Sequence, residues 1–234
     1  MAAPELSAIV LCYRAGEDIL HVLAPLQAEL EASEVTYELV LVANYDEGAD
    51  DPTPAVVDRF AREHERVVTV AESKAGAMGW DMRSGLAAST GRFLIVIDGD
   101  EQNPVEDVLK MYRQMKDTGA DVMKGRRIAR FDGYYRHLIS VLYNMIFLLM
   151  FRTHGLWDIN GKPKGLTREA YERMRLRSDD WFIDAEIVLT ARELGMRVEE
   201  LPVVFRQHAA RASFVHGDAI GEFIRNMLRR RLGR

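Results

Sequence analysis

The chain has 234 residues, 48% hydrophobic and 29% charged, which is ample for one sizeable globular α/β domain and unlike a disordered or fibrous chain. A formal net charge of −5 removes any general electrostatic argument for nucleic-acid binding. The single Cys12 excludes an internal disulfide and fits a reducing compartment, with burial as a small hydrophobe its ordinary role. MAAPELSAIV has no basic region ahead of its apolar stretch, so no signal peptide is expected, and no apolar run reaches the length of a membrane span.

In chain order, the apolar runs 7–13 (SAIVLCY), 37–43 (YELVLVA), 67–71 (VVTVA) and 93–97 (FLIVI) read as strands. Between them, 18–32, 54–65 and 77–90 carry apolar residues at helical spacing. A further helix is expected over 104–117 and a short strand over 120–124. This β-α-β-α order predicts a Rossmann-like, mostly parallel central sheet flanked by helices and joined by right-handed crossovers. Beyond residue 125 the rhythm changes: helices near 135–152, 167–174, 184–194 and 218–231 surround short extended pieces near 157–165 and 197–205.

The stretch FLIVIDGDEQNP, 93–104, carries the chemistry. An unbroken, β-branched run is the mark of a strand buried on both faces, and open α/β sheets place ligands at the carboxyl ends of such strands. Asp98 and Asp100, two apart in extended chain, point to the same side and can face one ion. Gly99 allows a tight turn between them. Hard oxygen ligands in so sparse a set suit Mg²⁺ or Mn²⁺, with phosphate oxygens and water completing the shell. The plainer alternative is an acidic loop capping the helix that Pro104 begins.

Two other segments bear on partners. LISVLYNMIFLLMF, 138–151, is a helix apolar nearly all round, either buried in the core or lying in a membrane interface, and too short to span one. Arg136, His137, Arg152 and His154 flank it. The end FIRNMLRRRLGR adds five arginines, which read either as a membrane-surface or partner contact or as a solvated helix terminus.

These stretches, over roughly 6–215, resemble family-2 glycosyltransferases, in particular the dolichyl- and polyprenyl-phosphate sugar synthases. DGDEQNP is similar to the family's Asp-X-Asp-X-Gln-X-Pro loop, which implies Asp98, Asp100 and Gln102 as metal and diphosphate ligands. Gly79, Arg83, Gly85 and Gly91 match the glycine-spaced helix before the metal strand. RRIARFDGYYRHLIS resembles the acceptor-phosphate loop and helix, implying Arg127, Arg136 and Ser140, with Arg126 and Arg130 nearby. DINGKPKGLTREAY implies Asp158, Lys162 and Lys164 near the diphosphate. WFIDAEI implies Glu186 and Asp184 at the pocket floor, and RQHAARASF implies Arg211 and Ser213.

The chain also departs from the family pattern. LCYRAGED keeps Tyr13 and Glu17 but has Arg14 and Ala15 where the family has Asn and Glu. The paired acids that end the second strand become Ala43 and Asn44, with Asp46 displaced, and the lysine before the glycines shifts to Lys74.

The resemblance implies a glycosyltransferase A-type fold over 1–215, with a nucleotide-sugar half over 1–125 and an acceptor half over 126–215, followed by a basic amphipathic helix over 216–234. It implies an inverting transfer, assisted by Mg²⁺ or Mn²⁺, from a nucleoside-diphosphate sugar to a polyprenyl phosphate at the cytoplasmic membrane face. A separate membrane partner or a homo-oligomer is compatible with it. A divalent ion would stabilise the charge on the departing diphosphate. A phosphate monoester is anionic near neutral pH and needs little help from a base. A sugar hydroxyl would need one, with Asp184 or the Asp179–Asp180 pair as candidates, though a solvated acidic turn is the expected role of Asp179 and Asp180. The competing classes are a transferase acting on a soluble hydroxyl, a nucleotidyltransferase and a non-catalytic nucleotide-sugar module. The turn YRAGED lacks the glycine-rich basic loop of the nucleotidyltransferases, and both Asp98 and Asp100 are present, against the non-catalytic module.

Overall fold

The computed structural model describes residues 3–130, 145, 147, 150–151, 156–206 and 225–232. Strands β1 (Leu6–Leu11), β2 (Tyr37–Val42), β3 (Val67–Val70) and β4 (Phe93–Asp98) alternate with helices α1 (Leu20–Glu31), α2 (Thr53–Arg62) and α3 (Met78–Ala88). Then come α4 (Glu106–Thr118), β5 (Val122–Arg130), β6 (Lys164–Thr167), α5 (Arg168–Met174), α6 (Ile183–Glu193) and β7 (Val198–Phe205). The seven strands form one sheet in the order β3-β2-β1-β4-β6-β5-β7.

β1, β2 and β4 are apolar apart from Ser7, Glu38 and the terminal Asp98 because both of their faces are covered. Ala8, Val10, Leu39, Leu41, Ile95 and Ile97 pack under α1, α2 and α4 with Leu26, Phe60 and Met111. The alternate residues Ile9, Val40, Leu94 and Val96 pack under α3, α5 and α6 with Met82, Leu86 and Ile187. Local chemistry sets the helix ends. α4 stops at Gly119, in the left-handed region at φ 68°, and the Thr167 side chain accepts the Ala170 N–H at 3.2 Å to begin α5.

Two features differ from the sequence expectation. β5 runs on through Arg126 and Arg127 to Arg130, where a loop was expected beyond 124. β7 pairs with it in parallel to the end, with a bulge between Arg127 and Ala129. β6 inserts between β4 and β5 antiparallel to both, so the sheet is mixed. No described helix is long and apolar enough to cross a membrane.

Candidate active site

β1 and β4 are parallel, with Leu11 beside Asp98, so Asp98 sits at the carboxyl edge of the sheet. The chain then folds against β1: Gly99 N–H donates to Leu11 O at 2.9 Å, and a Cβ there would lie 2.5 Å from Ile19 Cδ1. Only glycine fits that approach. The Asp100 carboxylate accepts Gln102 N–H at 3.1 Å, which closes the loop, while Gln102 turns its amide toward Arg206 O at 3.4 Å. Behind the loop Asn103 is buried with both amide atoms unpartnered.

Among the described residues no cluster of three or more His, Cys, Asp or Glu forms a self-sufficient metal cage. Two strand-end carboxylates, one of them about a third exposed, are the donor set expected of an ion that takes the rest of its shell from phosphate and water. Asp98 and Asp100 therefore fit Mg²⁺ or Mn²⁺.

Beside this loop lie three buried lysines. Lys164, fully buried, is held by Asp184 Oδ1 at 2.5 Å and Ile159 O at 3.0 Å. Its cross-strand partner Lys124 is bonded to Glu200 and to the Trp157 carbonyl. Lys162 lies 3.5 Å from Asp98 Oδ1 and 3.9 Å from Asp184 Oδ2. Burial, with help from neighbouring Lys162 and Lys124, pushes the Lys164 ammonium down to about 8. Burial alone would raise the Asp184 carboxyl, but Lys162 and Lys164 hold it below the usual carboxylate range. Asp158 behaves likewise: against burial, the Arg127 guanidinium grips it in bidentate fashion, with Nε to Oδ2 at 2.6 Å, and lowers it.

At the ends of β1, β2 and β3 a second network forms. Tyr13 Oη donates to Asp46 Oδ2 at 2.5 Å, and Arg14 reaches the same oxygen at 2.7 Å. The Lys74 ammonium stands 4.0 Å from the centre of the Tyr13 ring and pairs with buried Asp81, which also receives the Asn44 amide at 3.0 Å. Burial, then the hydrogen bond to Asp46, raises the Tyr13 phenol to about 12, and that same hydrogen bond lowers Asp46. The structure thus brings together Tyr13, Asn44 and Asp46 in one group, and Asp98, Lys162, Lys164, Asp184, Asp158 and Arg127 in another.

Several expected residues lie apart from these groups. Gly79 packs the start of α3 against the 178–180 turn, where a Cβ would be 2.5 Å from Asp180 O. Arg83 pairs with Asp179 beside a hollow of about 380 Å³ lined by Trp80 and Tyr171. The carboxylate of Glu186 is spent on the backbone N–H groups of Arg177 and Ser178, at 2.8–3.1 Å. Asp180 caps Phe182 N–H and meets Asn226. Arg136, Ser140, Arg211 and Ser213 fall outside the described residues.

Sequence reasoning missed Asp81, Lys124, Glu200 and Asn103. A signal existed for Lys124 and Glu200: a lysine in VMKG and a glutamate in VEELP interrupt strand patterns, and such charges are buried only in pairs. Asp81 has no such signal, since its partner Lys74 lies in a loop.

A mixed sheet with a metal-fitting Asp-X-Asp loop at the carboxyl end of its fourth strand defines the glycosyltransferase A-type architecture. The chain belongs to glycosyl transferase family 2, whose model matches residues 7–175. It is 25% identical over 181 residues to a dolichyl-phosphate β-glucosyltransferase of Trichomonas vaginalis, covering 74% of this chain and 55% of that one. It is 28% identical over 172 residues to the glycosyltransferase AglD of Haloferax volcanii, covering 70% of this chain and 27% of that one. The chain thus spans about half of the first relative's length and about a quarter of the second's.

Among solved structures, glucosyl-3-phosphoglycerate synthase of Mycobacterium tuberculosis, in complex with Mn²⁺, UDP and phosphoglyceric acid, superposes with a TM-score of 0.70. The identity is 18%, over 98% of this chain and 79% of that one. The mannosyltransferase PcManGT of Pyrobaculum calidifontis, with GDP-mannose and Mn²⁺, gives 0.62 at 18% identity, covering all of this chain and 66% of that one. These similarities establish the shared fold.

Proposed function

We propose that this protein transfers a sugar, with inversion, from a nucleoside-diphosphate sugar to a polyprenyl phosphate at a membrane surface. In this reading Asp98 and Asp100 hold Mg²⁺ or Mn²⁺, which as a Lewis acid offsets the charge of the departing diphosphate. The Tyr13, Asn44 and Asp46 group receives the nucleoside, and Lys162 and Lys164 set positive charge beside the diphosphate. The dolichyl-phosphate β-glucosyltransferase to which the chain is similar supports the acceptor class.

The observation that carries the reading is the state of the carboxylates. Asp184 and Asp158 are locked in ion pairs and held below the ordinary range, which makes them poor bases. A sugar hydroxyl would need a base; an acceptor phosphate, already anionic, needs only cations and a path to the anomeric carbon. Arg127 is occupied by Asp158, so it positions that loop, and the half-exposed Arg126 is the freer cation for the acceptor, with Arg136.

Beside Arg126 stand exposed Ile128, Trp157 and Val204, an apolar surface fitting an isoprenoid or membrane contact. At the C-terminus Arg225, Arg229 and Arg231 are exposed beside Leu228 and Leu232, whereas Arg230 pairs with Glu193 on α6. Of the four described residues in 138–151, Phe147 is buried against α6, Met150 and Phe151 pack partly buried on the same cluster, and Met145 is exposed.

The test is transfer to polyprenyl phosphate from a panel of nucleotide sugars with Mn²⁺. Asp100→Asn should lose activity by about a hundredfold or more with an unchanged melting temperature. Full activity of that variant would remove the metal assignment, and equal rates with a water-soluble sugar alcohol would remove the lipid-phosphate acceptor. Co-sedimentation with anionic vesicles at low salt tests the membrane arm.

A further inference from the structure

Against the Tyr13, Asn44 and Asp46 group lies a buried ion pair to which the proposed chemistry gives no task. The side chains of Lys74 and Asp81 are 7% and 4% exposed, and they bond directly to each other. A buried ion pair stabilises a fold no better than well-packed apolar residues of the same size. What the two residues hold in place therefore matters more than the pair itself.

Asp81, on α3, accepts the Asn44 amide on its other oxygen at 3.0 Å. Asn44 is fully buried, and its Nδ2 also reaches Ser84 Oγ at 3.2 Å while its Oδ1 accepts the Glu72 N–H at 2.9 Å. With both amide protons taken, Asn44 ties the end of β2 to α3 and to the loop after β3, and it lies behind the surface rather than on it. The Lys74 ammonium stands 4.0 Å from the centre of the Tyr13 ring. A cation over a ring attracts it most strongly where water is excluded. The Arg14 guanidinium is 5.3 Å from the same ring centre, but its side chain is 46% exposed and its hold is weaker. The ring carries the hydroxyl that donates to Asp46, whose oxygen Arg14 shares.

Each link in this chain belongs to a different element: Asp81 to α3, Lys74 to the loop before it, Tyr13 to the end of β1 and Asp46 to the loop after β2. β2 itself ends in Ala43 and Asn44, so the buried carboxylate here is supplied by α3. Solvent reaches Tyr13, Arg14 and Asp46, and these form the face of the group.

We propose that Asp81 is a positioning residue for donor recognition, fixing Lys74 against Tyr13 and so holding the Tyr13 ring and the Asp46 carboxylate in the arrangement that meets the nucleoside. The inference rests on the reading of this group as the nucleoside site and adds to it a residue that touches no substrate. Preorganisation of this kind removes an ordering cost from binding.

The test compares a nucleotide with a bare diphosphate. Calorimetric titration in the presence of Mn²⁺ gives the affinity for UDP and for GDP, and competition by inorganic pyrophosphate gives the affinity for a diphosphate without a nucleoside. Asp81→Asn should weaken the tighter-binding nucleotide by about tenfold and leave pyrophosphate within about twofold of wild type. Because that variant strands the Lys74 charge in the interior, the decisive protein is the double variant Lys74→Met, Asp81→Asn, which buries no unpaired charge and should fold. Lys74→Gln with Asp81→Asn carries the same expectation should the methionine version fail to fold. A pair that only supports the fold would give back nucleotide affinity once both charges are gone, whereas a positioning pair would not, because Tyr13 still lacks its cation. Wild-type nucleotide affinity in the folded double variant, or an equal loss for nucleotide and pyrophosphate, overturns the proposal. Tyr13→Ala separates the two levels: if it binds nucleotide normally, the nucleoside-site reading itself falls. If it weakens nucleotide while the double variant does not, only the role of Asp81 falls.

Discussion

The two halves of the sheet are held together by different physics. In β1, β2 and β4 nearly every side chain is aliphatic and buried, and the strands are secured by apolar area on both faces. In β5 and β6 the corresponding central positions carry Lys124 and Lys164, fully buried and directly paired across the ladder. Like charges opposite one another in a sheet repel, so this pairing survives only because Glu200 and Asp184 stand on either side. A hydrophobic contact tolerates the loss of a methyl group, whereas a buried ion pair tolerates almost no loss of its partner. The fold has placed the intolerant half where a polyanionic substrate is proposed to bind. On that proposal, buried positive charge would serve recognition at the expense of robustness.

The contrast breaks most visibly at Asp184. Asp184→Asn should strip the carboxylate from two buried lysines and destabilise the protein by about 3–5 kcal/mol, read as a fall in the denaturation midpoint. A loss below about 1 kcal/mol would show that the second half does not depend on its charges. Next in size is a pH effect. The folded-state value of Lys164, about 8, lies below its ordinary one. Between pH 8 and roughly 10.4 the unfolded chain therefore binds a proton that the folded chain does not, and this group makes stability rise with pH across that window. Below pH 8 the lysine is protonated in both states and contributes no slope. Chemical denaturation of wild type and Lys164→Met across this range should give a stability difference that moves in favour of wild type as pH rises. A flat difference would place the lysine at its ordinary value.

The same division explains what could be read from the sequence. The apolar strands were legible because burial writes itself as an apolar run: β2, β3 and β4 lie within a residue of their expected spans at each end, and β1 stops two residues early, at Leu11. The helices α3 to α6 were equally plain from their spacing. The extension of β5 was not, because Arg126 and Arg127 look like loop residues until Glu200 and Asp158 arrive from 30 or more positions away. The antiparallel insertion of β6 was hidden for the same reason: KGLT is too short and polar to announce a central strand. The acidic loop after β4 stood out because two carboxylates crowded at the end of a buried apolar run repel each other unless a cation or a helix terminus faces them. The Lys74–Asp81 pair went unseen because nothing local marks either residue as buried.

Within the first half a conservative trimming should cost little and stay local. Ile95→Val removes one buried methylene from the central strand β4, and should destabilise by about 0.5–1.5 kcal/mol without altering donor binding. Urea denaturation and nucleotide titration read the two quantities separately, and a change in nucleotide affinity would mean that the core and the site are coupled.

The smallest expected effect tests charge against charge. Arg59 on α2 pairs with Glu17 at 2.6 Å, a distance close to that between Lys164 and Asp184, but both partners of the surface pair are more than half exposed. In water the Coulomb attraction is screened and the solvation lost on pairing is small, so neither forming nor breaking the pair changes much. Arg59→Ala should shift stability by about 0.5 kcal/mol or less, and the shift should vanish in high salt. Asp184→Asn should keep its cost in the same salt, because no mobile ion reaches a lysine that solvent does not reach. Measuring both variants at low and high salt isolates burial from distance. A salt-sensitive Asp184→Asn would mean that water penetrates the lysine cluster, and the difference between the two halves of the sheet would then be one of degree.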